Sequence, residues 1–182
     1  MLLRNRYTSA LMVCTLFETY LRPCEALHLT VRQVVRPNPQ AEGTARFLTL
    51  VARAQELQTP SKTGEYDVSI PLDLSRQKWL ANRIRDLCQK RGPHELLFRL
   101  DYLTLVAHFR EAVHDAQLTV LEPTVYCLRH GGASHDVRTN VRTLEQVQLR
   151  GQWKAWSSMR RYQSTDESVS NCKKCHGICK TD

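Results

Sequence analysis

Apolar residues recur at every third or fourth position in the first part of the chain, a spacing typical of an amphipathic helix. The residues of this stripe are Tyr7, Ala10, Leu11, Cys14, Phe17 and Leu21. Pro23 suits the first turn of a second helix, and Glu25 places a carboxylate in that turn, where the helix dipole favours it. The apolar stretch 26–35 is short, and a Pro-Asn-Pro cluster at 37–39 closes it as a loop.

Two segments further along have the patterns of β-strands. Residues 47–52 form a compact apolar run, and residues 66–72 alternate between apolar and polar side chains. A polar connection that contains residues 60–64 joins them. These patterns predict an antiparallel hairpin with a long tip, and Lys62 lies at that tip.

The second half of the chain is predicted to be helical. Apolar stripes indicate helices around residues 80–88 and 103–116, and Gly92 with Pro93 ends the first of them. Three later helices are expected, each with a side chain suited to cap its first turn. These caps are Thr124, Thr143 (in a capping box with Gln146) and Ser157, and Gly151 is expected to end the second of the three helices.

These elements predict a mostly α fold of the α+β class, with a small antiparallel β-sheet or hairpin. We expect one domain over residues 1–165. Residues 166–182 are polar, contain cysteines and lack periodicity, so we expect them to form a disordered tail.

Composition adds a preference for partner and compartment. The formal net charge is +8, which favours a polyanionic partner such as nucleic acid or an anionic membrane surface. No apolar run approaches the roughly 20 residues of a membrane span, and the first residues lack the pattern of a secretory signal. We expect an intracellular protein, nuclear in a eukaryote, with buried, reduced thiols at the cysteines of its apolar segments. These cysteines are Cys14, Cys24, Cys88 and Cys127.

Side chains suited to phosphate chemistry occur at wide intervals along the chain. Arginine binds phosphate oxygens through a planar fork that stays charged. Tyrosine supplies a nucleophilic oxygen once nearby positive charge assists its ionisation. In chain order, the candidate residues are Arg22, Lys62, Tyr126, Arg129, Trp153 and Tyr162.

Taken in this order, the set resembles the catalytic domain of the tyrosine recombinase (phage integrase) family, over roughly residues 4–165. Members of that family carry an arginine before a Glu-containing helix, a lysine on a β-hairpin, a His-x-x-Arg motif, a His or Trp, and a nucleophilic tyrosine. The resemblance implies site-specific DNA breakage and rejoining, in recombination or integration, through a 3′-phosphotyrosine intermediate. It also implies no metal or nucleotide cofactor, double-stranded DNA as partner, and a homo-oligomer on the DNA.

The resemblance assigns a role to each residue. Tyr162 is the nucleophile, and Arg22 and Arg129 clamp the phosphate. Lys62 is the general acid that protonates the departing 5′-oxygen. Trp153 takes a position where many relatives have histidine, and its indole can donate one hydrogen bond but cannot shuttle a proton.

One departure from the family pattern concerns the base. Tyr126 stands where relatives have the histidine of His-x-x-Arg, and near neutral pH a phenol is a weaker base than imidazole. This puts proton abstraction from Tyr162 in question. His130 is not expected to replace that histidine, because neighbouring helical residues face different directions. The glycines at 131 and 132 are expected to loosen the helix that carries these residues.

A second departure concerns the start of the chain and leaves alternatives open. Relatives carry an N-terminal DNA-clamping domain, whereas 21 residues precede Arg22 here. We therefore expect a fragment, a truncated product or a domain that relies on a partner. The alternative function is a catalytically decayed, DNA-binding remnant of a mobile element. A third interpretation is metal binding by the tail, whose spacing fits c-type haem attachment or zinc. The tail residues concerned are Cys172, Cys175, His176 and Cys179.

Overall fold

The structure, a computed structural model, describes residues 2–38, 40, 42, 46–52 and 68–162, leaving aside the side chains of residues 2–5 and 161. The hairpin tip with Lys62 and the tail 166–182 lie outside the described residues. The helices are α1 (Leu2–Thr19), α2 (Pro23–Leu27), α3 (Lys78–Gln89), α4 (Tyr102–Asp115), α5 (Cys127–Arg138) and α6 (Leu144–Gly151). The strands are β1 (Val34–Val35), β2 (Thr49–Ala52) and β3 (Val68–Pro71). Single 3-10 turns or short 3-10 helices lie at Val31–Gln33, Ser75–Gln77, Thr119–Leu121 and Trp156–Tyr162.

The sheet formed by the described strands is antiparallel, with the order β1-β2-β3. Leu50 of β2 pairs with Val34 of β1 on one side and with Ile70 of β3 on the other. The predicted α+β class, mostly helical with a small antiparallel sheet, is confirmed. Strand β1 was not predicted, because two residues are too few to show an alternating pattern.

The main apolar core joins α1, α3 and the start of α4 to the sheet. Each of its fully buried side chains contributes about 1.5–3 kcal/mol through removal from water. The largest of them include Met12, Leu16, Leu50, Ile70, Leu80, Ile84, Phe98 and Leu105. A second, smaller cluster packs α5 and α6 against the 3-10 helix Trp156–Tyr162. Its buried members are Tyr20, Ala133, Val147, Met159 and Tyr162.

The four cysteines in the apolar segments are free thiols, but they are not all buried. Cys88 is buried, and burial raises the pKa of its thiol. Cys14 and Cys127 are half-buried, and Cys24 is exposed. The expectation of buried thiols therefore fails at Cys24, which lies in the short helix α2 where one side faces solvent.

Helix α1 ends at Thr19, two residues before the end of the apolar stripe. Tyr20 has a φ of 57°, the left-handed conformation that terminates helices and usually belongs to glycine. For a residue with a side chain this conformation costs about 1–2 kcal/mol. The turn redirects the chain so that Pro23 starts α2, as predicted.

Helix α5 packs against α1 at very short range, and Gly132 makes this contact feasible. A Cβ atom at residue 132 would lie 1.8 Å from the carbonyl oxygen of Phe17. The helix continues unbroken through both glycines. The glycines therefore do not interrupt the helix, and Gly132 is needed for its close packing on α1, whereas their effect on helix stability stays a prediction.

The expected helix caps have mixed outcomes. Thr143 caps α6 with Gln146 as its capping-box partner, and α6 ends at Gly151, so both predictions are confirmed. Thr124 does not cap α5, because the chain forms tight turns at 124–126 and the helix begins only at Cys127. Ser157 is not a cap either, because it lies inside a 3-10 helix that already begins at Trp156.

Candidate functional site

Arg22 stands immediately before α2 in an extended conformation. Its Nη1 donates to Glu25 Oε1 at 2.7 Å, and its backbone N–H donates to Glu25 Oε2 at 2.8 Å. Pro23, at the first helical position, favours the turn between these residues. One carboxylate therefore holds both the backbone and the guanidinium of Arg22, whose side chain is 23% exposed.

Arg129 lies in the first turn of α5 and is 2% exposed. Its Nη1 donates to the carbonyl oxygen of Tyr20, and its Nη2 donates to the carbonyl oxygen of Gly151. Its guanidinium carbon lies 4.7 Å from the centroid of the Trp153 ring, within cation–π range. Among the described residues, its Nε has no hydrogen-bond partner. Such buried donors are rare in folded proteins, and this one is suited to an oxygen of a bound ligand.

The two arginines influence each other electrostatically. Burial lowers the pKa of Arg129, and the positive charge of Arg22 lowers it further. The negative charge of Glu25 acts in the opposite direction. Because a guanidinium ordinarily loses its proton only far above neutral pH, Arg129 still carries its charge near neutral pH despite the lowered pKa. Two guanidinium groups beside one carboxylate leave a net positive charge that favours an anion.

Tyr162 ends the 3-10 helix Trp156–Tyr162 and is 5% exposed. Its Oη lies 2.5 Å from His130 Nδ1, a hydrogen-bond distance. When Nδ1 carries no proton, it accepts this hydrogen bond and is placed to take the phenolic proton. The two ring centroids are 6.2 Å apart, with the planes inclined by 27°. The arrangement pairs a nucleophile candidate with a base.

Trp153 joins the arginine to the tyrosine. Its ring, which lies over the Arg129 guanidinium, also has its centroid 5.5 Å from that of Tyr162 and 5.9 Å from that of His130. Gly151 makes room for it, because a Cβ there would lie 1.9 Å from a carbon of the indole. The indole therefore covers the site and limits the access of water to Arg129.

Tyr126 lies at the edge of this group and is 37% exposed. Its ring meets the His130 ring edge-on, with the centroids 5.2 Å apart. It also acts electrostatically on Arg129, in the direction that raises the pKa of the guanidinium and so opposes the lowering by burial and by Arg22. The phenol thus contacts the imidazole, and the imidazole rather than the phenol contacts Tyr162.

Five of the six predicted site residues lie in the described part of the chain. The structure brings four of them together through the contacts above, and Arg22 joins them through its electrostatic interaction with Arg129. Lys62 lies outside the described residues, so its predicted place beside the others stays a prediction. The four residues are Tyr126, Arg129, Trp153 and Tyr162, and Tyr126 is joined to the others through the His130 ring.

His130 is the candidate site residue that the sequence analysis did not expect to take part. The objection that it must face away from its neighbour Arg129 is correct for an isolated helix. It fails here because the 3-10 helix Trp156–Tyr162 approaches α5 from the side on which His130 lies. The sequence nevertheless contained a chemical reason to consider His130. Imidazole is the ordinary base near neutral pH, and Tyr126 occupies the position where relatives have a histidine.

Comparisons with protein-family models, with curated proteins and with solved structures found no match. In the described part of the chain, no group of three or more His, Cys, Asp and Glu side chains could hold a metal ion. The same residues include no helix long and apolar enough to cross a membrane. The tail residues on which the alternative metal-binding interpretation depends lie outside the described residues; they are Cys172, Cys175, His176 and Cys179.

Proposed function

We propose that this domain breaks and rejoins DNA strands by using Tyr162 as a nucleophile on a backbone phosphate. The observation that carries the proposal is the 2.5 Å contact between Tyr162 Oη and His130 Nδ1, beside the buried guanidinium of Arg129. Nucleophile, base and cation are the three parts that phosphoryl transfer to a tyrosine requires. The resemblance to tyrosine recombinases supports the same chemistry.

In the proposed reaction, Tyr162 Oη attacks the phosphorus and its proton passes to His130 Nδ1. The bond between phosphorus and the 5′-oxygen breaks, which leaves a 3′-phosphotyrosine and a 5′-oxygen that gains a proton. Lys62 is the proposed donor of that proton, by resemblance. Rejoining is the reverse reaction and needs no nucleotide, because the phosphotyrosine link conserves the bond energy.

The arginines act on the charge that builds up on the non-bridging oxygens during the attack. Arg129 offers its Nε–H, and Arg22 adds a second positive charge nearby. Trp153 excludes water from the guanidinium, which strengthens the attraction between Arg129 and a phosphate. Tyr126 packs against His130 and restricts the orientation of the imidazole.

The proposed partner is double-stranded DNA, which the net charge of +8 supports. A homo-oligomer on the DNA is proposed by resemblance alone. By resemblance, the proposed reactions are site-specific recombination and integration of DNA.

The test of this function is a covalent-trap assay. The protein is mixed with a pool of nicked duplexes that lose their 5′-hydroxyl fragment after cleavage, and the products are separated on a denaturing gel. We expect a DNA-linked protein band that disappears in Tyr162→Phe. Tyr102→Phe, which changes an exposed tyrosine on α4, is the matched control and should keep the band. A band that persists in Tyr162→Phe would refute the proposal.

A second candidate, a DNA-binding remnant without catalysis, is favoured by the burial of the site. Tyr162 is 5% exposed and Arg129 is 2% exposed, so a phosphate reaches them only if the 3-10 helix Trp156–Tyr162 and Trp153 move. A protein that shifts DNA in a native gel but never forms the covalent band would support this candidate. Both candidates predict DNA affinity that falls steeply with salt, so a salt titration does not separate them.

A further inference from the structure

Tyr20 occupies a backbone conformation that is unfavourable for tyrosine. It follows the last residue of α1 with a φ of 57°, and its N–H donates to the carbonyl oxygen of Leu16 at 3.1 Å. Glycine is the usual residue at such a helix end. Strained residues of this kind persist only where their surroundings hold them. The side chain of Tyr20 therefore needs contacts that hold it in place.

The phenol of Tyr20 is held by a buried carboxylate. Its Oη–H donates to Oδ2 of Asp136, which lies in the third turn of α5 and is 0% exposed. Arg76 Nη2 donates to the other oxygen, Oδ1, at 2.5 Å, and Arg142 Nε donates to Oδ2 at 3.2 Å. The two arginines fix the carboxylate, and the carboxylate fixes the phenol.

The ring of Tyr20 is held between two further side chains. The guanidinium carbon of Arg150 lies 5.6 Å from the ring centroid, and that arginine also donates to the carbonyl oxygens of Glu18 and Pro71. The centroid of the Trp153 ring lies 6.2 Å from the centroid of the Tyr20 ring. Arg150 is thereby tied to α1, and Trp153 belongs to the candidate site.

The backbone of the same residue holds Arg129. The carbonyl oxygen of Tyr20 accepts from Nη1, while that of Gly151 accepts from Nη2. These two acceptors fix the plane of the guanidinium and leave Nε as the donor without a described partner. A shift of the Tyr20 carbonyl must therefore rotate or displace the guanidinium.

We infer that Tyr20 is a positioning residue for Arg129, through a chain of contacts that runs from Asp136 through the phenol and the backbone of Tyr20 to the guanidinium. Its role in DNA cleavage rests on the proposed function, whereas its control of the Arg129 position does not. The buried ionic group on α5 thereby sets the orientation of the arginine two turns earlier on the same helix.

The first test measures the position of Arg129 directly and does not need activity. In the ¹⁵N-labelled protein, the Nε–Hε signal of Arg129 is assigned by its loss in Arg129→Lys. Tyr20→Phe removes only the hydroxyl that binds Asp136, and we expect it to shift or broaden this signal. Tyr102→Phe, at a 43% exposed position on α4, is the control and should leave the signal unchanged. An unchanged Arg129 signal in Tyr20→Phe, with the fold intact in the amide spectrum, would overturn the inference.

The second test asks whether the effect on cleavage passes through phosphate charge. Covalent attachment is timed on a trapped duplex and on the same duplex with a methylphosphonate at the scissile position, which lacks one non-bridging oxygen and its charge. We expect Tyr20→Phe to lose about tenfold in rate on the phosphate, and less than about threefold on the methylphosphonate. Equal losses on the two substrates would overturn the positioning role in cleavage. If the wild-type protein attaches to neither substrate, the proposed function fails, and the Arg129 signal alone decides the inference.

Discussion

Arg129 makes its described hydrogen bonds with carbonyl oxygens and not with a carboxylate. A carbonyl oxygen satisfies an N–H without cancelling the positive charge, so the guanidinium keeps a charge that no described hydrogen-bond partner neutralises. Burying such a charge is costly unless a partner arrives. Arg22 is different, because Glu25 pairs with it at 2.7 Å. Of the two arginines, Arg129 is therefore the one whose charge a bound phosphate would neutralise.

The role of His130 as the base can be tested at the same scale. In His130→Asn, the side-chain oxygen can still accept a hydrogen bond from Tyr162 but cannot take its proton. We expect covalent attachment to slow by about 10²–10⁴-fold, because the variant has no base beside the phenol. The measurement is the rate of band formation at several pH values. His135→Asn, at an exposed position on the same helix, is the control, and equal rates for the wild-type protein and His130→Asn would exclude this base.

Helix α5 is the element on which the site depends. It carries Arg129 and His130 in its first turn and Asp136 in its third, and it approaches α1 closely at Gly132. Displacement of this helix from α1 would separate Arg129 from the carbonyl oxygen of Tyr20. The distance between the two helices therefore bears on stability and on the site together.

The two adjacent glycines of α5 give a matched test of this packing. In Gly132→Ala the new Cβ would meet the Phe17 carbonyl oxygen at 1.8 Å, so we expect a loss of about 1–3 kcal/mol in the free energy of unfolding. In Gly131→Ala the Cβ would lie 3.6 Å from the Phe17 ring, an ordinary contact. Helix propensity should make that variant equal to the wild-type protein or up to about 1 kcal/mol more stable. Urea denaturation measures both, and equal stability of the two variants would contradict the close approach.

The sequence predicts helices and strands better than it predicts contacts between them. The period of the apolar residues was sufficient to locate α3 and α4, and Thr143 with Gln146 marked the start of α6. The left-handed turn at Tyr20 left no signal, because the carboxylate that binds the Tyr20 phenol is 116 positions away. The contact of His130 was not predicted for the same reason, since its hydrogen-bond partner Tyr162 is 32 positions away. Both errors concern long-range contacts, which a local pattern does not contain.

On the scale of the whole molecule, a partly buried ionic network around Asp136 joins the helical part to the sheet. Arg142, just before α6, pairs with Asp136 of α5 and with Asp73, which follows β3. Arg76 pairs with Asp136 and with Glu18 at the end of α1. Each arginine thus bridges carboxylates of two elements. Such a network contributes to specificity of packing, and removal of a single partner leaves a charge without compensation.

The pair of Asp73 and Arg142 makes stability depend on acid in a defined direction. Burial alone would raise the pKa of Asp73, but the hydrogen bond and charge of Arg142 outweigh it and hold the pKa below 3.8. A carboxylate whose pKa is lower in the folded than in the unfolded state stabilises the fold at any pH above its unfolded-state pKa. This contribution is lost as the pH falls through the folded-state pKa. We expect Asp73→Asn to lose about 1–2 kcal/mol at pH 6 and the difference from the wild-type protein to shrink below pH 3.8. Urea denaturation across this range measures it, with Asp115→Asn at an 80% exposed side chain as the control. A difference that stays constant down to low pH would mean that the carboxylate of Asp73 acts through its shape and not through its charge.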